Sequence, residues 1–125
     1  ESATTKGSTA ASAKYWVLAK LFTSIRETFS PSARNTEWDI LDDACHPDLL
    51  VLDECHEISG TDWQGRILTL LVNDRYQDLK DTILITNESE HEFAEAVGPS
   101  IASRLEECGV FVACDWPSFR RIQGE

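Results

Sequence analysis

At 125 residues the chain has the length of one compact domain, and its 42% hydrophobic and 26% charged residues are ordinary for a globular protein. Eleven Lys and Arg against twenty-two Asp and Glu leave a formal net charge of -11, which repels a phosphate backbone and argues against autonomous nucleic-acid binding. No apolar run approaches the roughly 20 residues that a membrane-spanning helix requires, so a transmembrane reading is excluded.

The chain opens on Glu1 and contains no Met, which leaves open a processed, trimmed or partial product. Residues 1–13 are rich in Ser, Thr and Ala and read as a flexible or weakly helical N-terminal segment, without the apolar core of a secretory signal. The remainder, 14–125, reads as one α/β core. From Lys14 to Phe29 a short extended stretch passes into helical spacing at Val17, Leu18, Leu21, Phe22, Ile25 and Phe29, and Ser30-Pro31-Ser32 ends it. A second short helix is expected over Glu37 to Asp43, with Trp38 packed at the edge of the core.

Pro47-Asp48 breaks the chain before Leu49 to Leu52, four consecutive aliphatics that predict a central parallel strand buried on both faces. After Gly60 and a capping Thr61, helical spacing runs from about Asp62 to Leu79. Thr82 to Thr86 is the next aliphatic, β-branched strand. Ser89 caps Glu90 to Val97 with Glu92 at the capping-box position, Gly98 stops that helix, and Pro99 opens another to about Cys108. Val110 to Cys114 is expected as a last strand. Strands alternating with helices imply parallel pairing through right-handed crossovers, hence a three-layer α/β sandwich.

Cys45, Cys55, Cys108 and Cys114 lack both a secretory signal and the dense spacing of a disulfide framework, so free thiols and a cytoplasmic location are expected. Cys45-His46 and Cys55-His56 do not match a zinc knuckle. In open parallel sheets ligands sit beyond the carboxyl ends of the strands. Asp53-Glu54 and Thr86-Asn87 occupy two such ends. Hydrolysing a nucleotide requires a carboxylate for the magnesium shell, a second to orient or deprotonate water, and an amide to place that water. Asp53, Glu54 and Asn87 supply these three groups, although acids and Asn are also ordinary at solvated strand exits.

Taken together, several segments are more specific. They are Lys20-Leu21-Phe22 with Ile25-Arg26-Glu27-Thr28-Phe29, Pro47-Asp48-Leu49-Leu50-Val51-Leu52-Asp53-Glu54, Asn73-Asp74-Arg75-Tyr76, Thr82-Ile83-Leu84-Ile85-Thr86-Asn87, Ser103-Arg104-Leu105 and Cys114-Asp115-Trp116-Pro117-Ser118-Phe119-Arg120. Through them Tyr15 to Arg120 resembles the AAA+ ATPases of the DnaC/IstB type, the bacterial and phage helicase loaders and their transposon-encoded relatives. The resemblance implies a mostly parallel P-loop NTPase core acting in DNA replication or transposition with ATP and Mg2+. Asp53 would hold magnesium and contact nucleotide, Glu54 would polarise water, and Asn87 would be the sensor-1 residue. Arg104 takes the place of the arginine finger, and Arg120 that of a nucleotide-binding sensor-2 arginine. Implied partners are a replicative helicase, loader subunits or further copies of the chain, with nucleic acid engaged only through a complex and no membrane.

The sequence departs from that pattern in one respect: GxxxxGK[ST] occurs nowhere in it, and after Gly7 the residues Ser12-Ala13 stand where Gly-Lys is required. A partial chain, a degenerate paralogue and a domain completed by a partner all fit this. The expectation is an ATP-binding module that does not hydrolyse ATP alone. The alternative is a catalytically inactive interaction protein that docks on or inhibits a helicase or loader ring.

Overall fold

The computed structural model describes residues 11–55 and 62–114. A strand β1 (Ala13–Val17) runs directly into helix α1 (Leu18–Glu27), whose Leu18, Leu21, Phe22 and Ile25 fall on one face and are buried. Helix α2 (Glu37–Cys45) starts at a reciprocal capping box, in which Thr36 Oγ1 accepts from Asp39 N–H and Asp39 Oδ2 accepts from Thr36 N–H. Strand β2 (Leu49–Asp53), helix α3 (Asp62–Gln77) and strand β3 (Asp81–Leu84) follow, and then helices α4 (Glu90–Val97) and α5 (Pro99–Cys108). The Ser89–Glu92 capping box and the Gly98 stop form as their spacing predicts. The expected Thr61 cap and Gly60 loop lie outside the described residues.

The strands form a parallel sheet in the order β1-β2-β3, with Ala13 opposite Leu49 and Leu49 opposite Asp81. Ser12 secures the entrance: its carbonyl accepts from Leu49 N–H at 3.0 Å, while its own N–H and hydroxyl bond the side chain and backbone of Asp48. The strand position beside Leu49 to Leu52 is thus filled on both sides, and among the described residues the free edges are those of β1 and β3. Both crossovers step across the sheet in the same direction. Right-handed connections therefore place their helices on one face, where a single core gathers Leu18, Leu21, Ile25, Leu41, Leu50, Leu52, Leu68, Leu71, Phe93 and Ile101.

This one-sidedness corrects the expectation for β2. Leu50 and Leu52 are fully buried against the helices, but Leu49 and Val51 are only half-buried, because the opposite face has no helix on it among the described residues. Their sheet neighbours Tyr15 and Ile83 are 56% and 47% exposed. Of the three layers expected, the described residues build the sheet and one helical layer. The strand expected over Val110 to Cys114 does not form: Val110, Phe111 and Val112 are exposed. A β-branched and aromatic run becomes a strand only when paired, and among the described residues this one makes no ladder with the edge of β1 or of β3.

The end of the sheet opposite the strands' carboxyl termini is closed by Arg75. Its side chain is 0% exposed and bonds no carboxylate among the described residues. Nε donates to Thr82 Oγ1 at 2.8 Å, Nη1 to the carbonyls of Ala44, Cys45 and Pro47, and Nη2 to those of Asp48 and Asp81. One guanidinium so satisfies the carbonyls at the end of α2 and at the starts of β2 and β3, using the planar fork that Lys lacks.

Candidate functional site

β2 and β3 deliver Asp53-Glu54 and Thr86-Asn87 to the same edge of the sheet. Their pairing continues past the regular ladder: Ile85 N–H donates to Leu52 O at 2.9 Å and Cys55 N–H donates to Ile85 O at 2.8 Å. The two strand exits are therefore fixed side by side. Asp53, Glu54, Ile85, Thr86 and Asn87 line one open cleft of about 170 Å³.

Glu54 sits in the left-handed region at φ 56°, a conformation that costs a non-glycine residue about 1–2 kcal/mol. The bonds on either side hold it there. Its N–H donates to Asp53 Oδ1 at 2.8 Å, and the next residue, Cys55, is buried with its Sγ donating to Leu52 O at 3.3 Å. Burial pushes the Cys55 thiol up to about 12, which makes it a structural anchor rather than a nucleophile. Leu79, at φ 57° just beyond the end of α3, shows that the same backbone region also serves as a plain helix stop.

Asp53 has a second donor that sequence reasoning missed. Tyr15, in the short extended stretch expected after Lys14, donates its hydroxyl to Asp53 Oδ2 from the neighbouring strand. The register explains the contact, since Val17 faces Asp53 and Tyr15 projects from the same side of the sheet two residues earlier. Each carboxylate oxygen of Asp53 then has one protein donor and retains acceptor capacity for a cation. A single half-buried carboxylate at a cleft suits magnesium, which is bound by one or two carboxylates with water and substrate phosphates completing its shell. No cluster of three His, Cys, Asp or Glu able to form a fuller cage occurs among the described residues. Thr86 is tied locally, its Oγ1 accepting from Glu88 N–H and bonding the Glu88 carboxylate, each at 3.2 Å.

The structure brings Asp53, Glu54 and Asn87 together and keeps Arg104 apart. Arg104 lies on α5, its guanidinium 4.4 Å above the Tyr76 ring, with Nε donating to Asn73 Oδ1 at 3.3 Å and Nη1 4.0 Å from Glu107. Tyr76 in turn donates its hydroxyl to Glu107. Asn73 and Tyr76, one turn apart on α3, thus orient a half-exposed cation on the outer surface. Nothing in the spacing of 73, 76 and 104 announces this, because it depends on how α5 lies on α3. Arg120 lies outside the described residues.

No family model matches the chain. It is 26% identical over 110 residues to the replicative helicase loader DnaC of Escherichia coli K12, covering 86% of this chain and 44% of that protein, and the same figures hold for DnaC of Shigella flexneri. The chain therefore spans under half the length of the curated relatives it matches. Among solved structures, AMPPCP-bound DnaA from Aquifex aeolicus superposes with a TM-score of 0.69 at 20% identity, covering 82% of this chain and 31% of that one. A DnaC helicase loader superposes with a TM-score of 0.63 at 21% identity, covering 77% and 56% respectively. In sequence the chain is similar to the helicase loader DnaC, and its three parallel strands with their helices share part of the fold of the DnaA and DnaC structures. No helix among the described residues is long and apolar enough to cross a membrane.

Proposed function

We propose that the chain is a DnaC/IstB-like AAA+ module of DNA replication or transposition, of helicase-loader type, contributing the acid and amide side of an ATP site. The observation that carries this reading is the placement of Asp53, Glu54 and Asn87 around one cleft at the carboxyl ends of paired parallel strands. Similarity to the loader DnaC supports the choice of process and of partner.

Asp53 would hold the magnesium, whose charge supplies stabilisation for the negative phosphates. Glu54, exposed on its left-handed backbone, orients and deprotonates the attacking water, and Asn87 across the cleft fixes that water with its amide. Arg104, steadied by Asn73 and Tyr76, offers its guanidinium to the nucleotide of a neighbouring subunit, and Arg120 acts as a further phosphate-binding cation. The cleft of about 170 Å³ is well below the roughly 300–1,000 Å³ of pockets that enclose small ligands. With no GxxxxGK[ST] in the sequence, the chain alone does not hydrolyse ATP, and a phosphate-cradling backbone must come from additional chain or from a partner.

The test is to mix the chain with a replicative helicase and its loader and to follow both retention and ATP turnover. Retention, together with a change in turnover that Asp53→Asn or Arg104→Ala abolishes, is the expected result. Failure of either partner to retain the chain contradicts the reading. Retention with a change in turnover that both substitutions leave intact favours a second reading, a non-hydrolysing protein that docks on or inhibits the ring. That reading draws on the existing ties of Asp53 to Tyr15 and of Arg104 to Asn73 and Glu107.

A further inference from the structure

Away from the cleft, a groove of about 170 Å³ runs between α2 and α3. Trp38, Leu41, Asp42 and Cys45 recur at helical spacing along one face of α2 and form one wall, and Leu70, Asp74 and Asp78 belong to the other. Trp38, expected from sequence at the edge of the core, is 69% exposed, and Leu70 is 47% exposed. The fully exposed alternative for a tryptophan is costly in hydration, and large aromatics left in this way on a concave surface are the usual anchors of protein interfaces. Trp63, by contrast, packs against Phe22 and Phe29 with Arg26 over its ring.

The rim adds charge of one sign. Asp42, Asp74 and Asp78 have no ion-pair partner among the described residues. All three lie in the last turn of α2 or in the last turns and exit of α3, where the helix dipole disfavours an acid. Local helix chemistry therefore does not explain them. Their field reaches the groove wall: the Cys45 thiol is pushed up to about 11, first by burial and then by Asp74, with Asp42 and Asp78 adding to it against the opposing Arg75.

We propose that this groove docks a basic amphipathic helix of a partner protein, with an apolar side chain of that helix seated between Trp38 and Leu70 and Lys or Arg residues one turn apart facing Asp74 and Asp78. The volume suits one or two side chains and is too small for a ligand-sized molecule. The occupant is chosen by charge: the acids repel nucleic acid, and a second copy of a chain with twenty-two acidic and eleven basic residues is a poor complement. Asp74 and Asp78 stand at the i, i+4 spacing that cations on a facing helix also adopt.

The experiment uses the isotope-labelled full chain and three synthetic helical peptides: one of Leu and Lys, one with Ser replacing Leu, and one with Glu replacing Lys. Saturable NMR shifts confined to the Trp38 indole and to Leu70, Asp74 and Asp78 are expected with the first peptide only. Trp38→Ala and the double substitution Asp74→Asn, Asp78→Asn should each weaken binding at least tenfold, with unchanged circular dichroism showing that the fold is kept. Equal binding of the Ser peptide, shifts scattered over the acidic surface, or variants that bind as well as the parent would overturn the proposal. Groove resonances that move with the chain's own concentration would overturn it in favour of self-association.

Discussion

The hydroxyl of Tyr15 donates a hydrogen bond to the carboxylate of Asp53 across the β1–β2 pair, so the acid proposed to hold magnesium is positioned by the strand beside it. That bond raises the Tyr15 phenol above its ordinary value of 10, with smaller contributions from burial and from the charges of Asp53 and Glu54. Tyr76, the chain's other tyrosine, is raised by its bond to Glu107. A raised phenol contributes stability that is fully present below the ordinary value and is lost as pH rises through the folded one. In an ultraviolet difference titration, Asp53→Asn should therefore bring one tyrosine down and leave the other raised. A titration curve identical to the parent's would show that the Tyr15–Asp53 bond is not maintained in solution.

Arg75 is expected to be the most sensitive position for stability. Replacing it by Ala takes the guanidinium donors from the carbonyls of Ala44, Cys45, Pro47 and Asp81, while Asp48 O keeps its bond from Asp81 N–H, and each acceptor left buried without a partner costs about 1–3 kcal/mol. Against a total stability of roughly 5–15 kcal/mol, Arg75→Ala should not fold. Arg75→Lys keeps the charge but loses the fork, and a loss of at least about 2 kcal/mol is expected by urea denaturation. A loss below about 0.5 kcal/mol, the size of an ordinary surface substitution, would contradict the carbonyl-clamp role.

The start of α4 gives a pH-dependent counterpart. Ser89→Ala removes one arm of the capping box and should cost about 1 kcal/mol at neutral pH. Glu92 accepts from Ser89 N–H at 3.0 Å, which holds its carboxyl below the ordinary value of 4.5. The depressed value means that this contribution is present above the ordinary value and disappears as pH falls through the folded one. Glu92→Gln should flatten the acid limb of the stability profile over that window. An unchanged acid limb would show that the capping box is not populated.

Elements held together by local chemistry were legible in the sequence. The switch from β1 to α1, the Pro47-Asp48 break before Leu49, the Ser89 cap and the Gly98-Pro99 junction all lie in short-range patterns, and the structure reproduces them. What was not legible depended on which elements become neighbours. Leu49 to Leu52 looks buried on both faces because aliphatics alone do not reveal that both crossovers lie on one side. Val110 to Cys114 has strand composition but pairs with neither edge of the three-stranded sheet, and Trp38 has helical spacing with its ring outside the core. In the candidate site, Asp53, Glu54 and Asn87 were found because strand ends mark ligand positions in parallel sheets. Tyr15 was not, because its role is set by the β1–β2 register.

The proposed use of Asp53 and Asn87 is tested most directly by adding the manganese complex of ATP, at millimolar concentration, to the isotope-labelled chain. The complex carries net negative charge, so the chain's acidic surface does not gather it nonspecifically. Paramagnetic broadening should be concentrated on the amide signals of Asp53, Glu54, Thr86 and Asn87 and should vanish in Asp53→Asn. Sharp signals at those four residues, or broadening that persists after Asp53→Asn, would contradict a nucleotide-facing site.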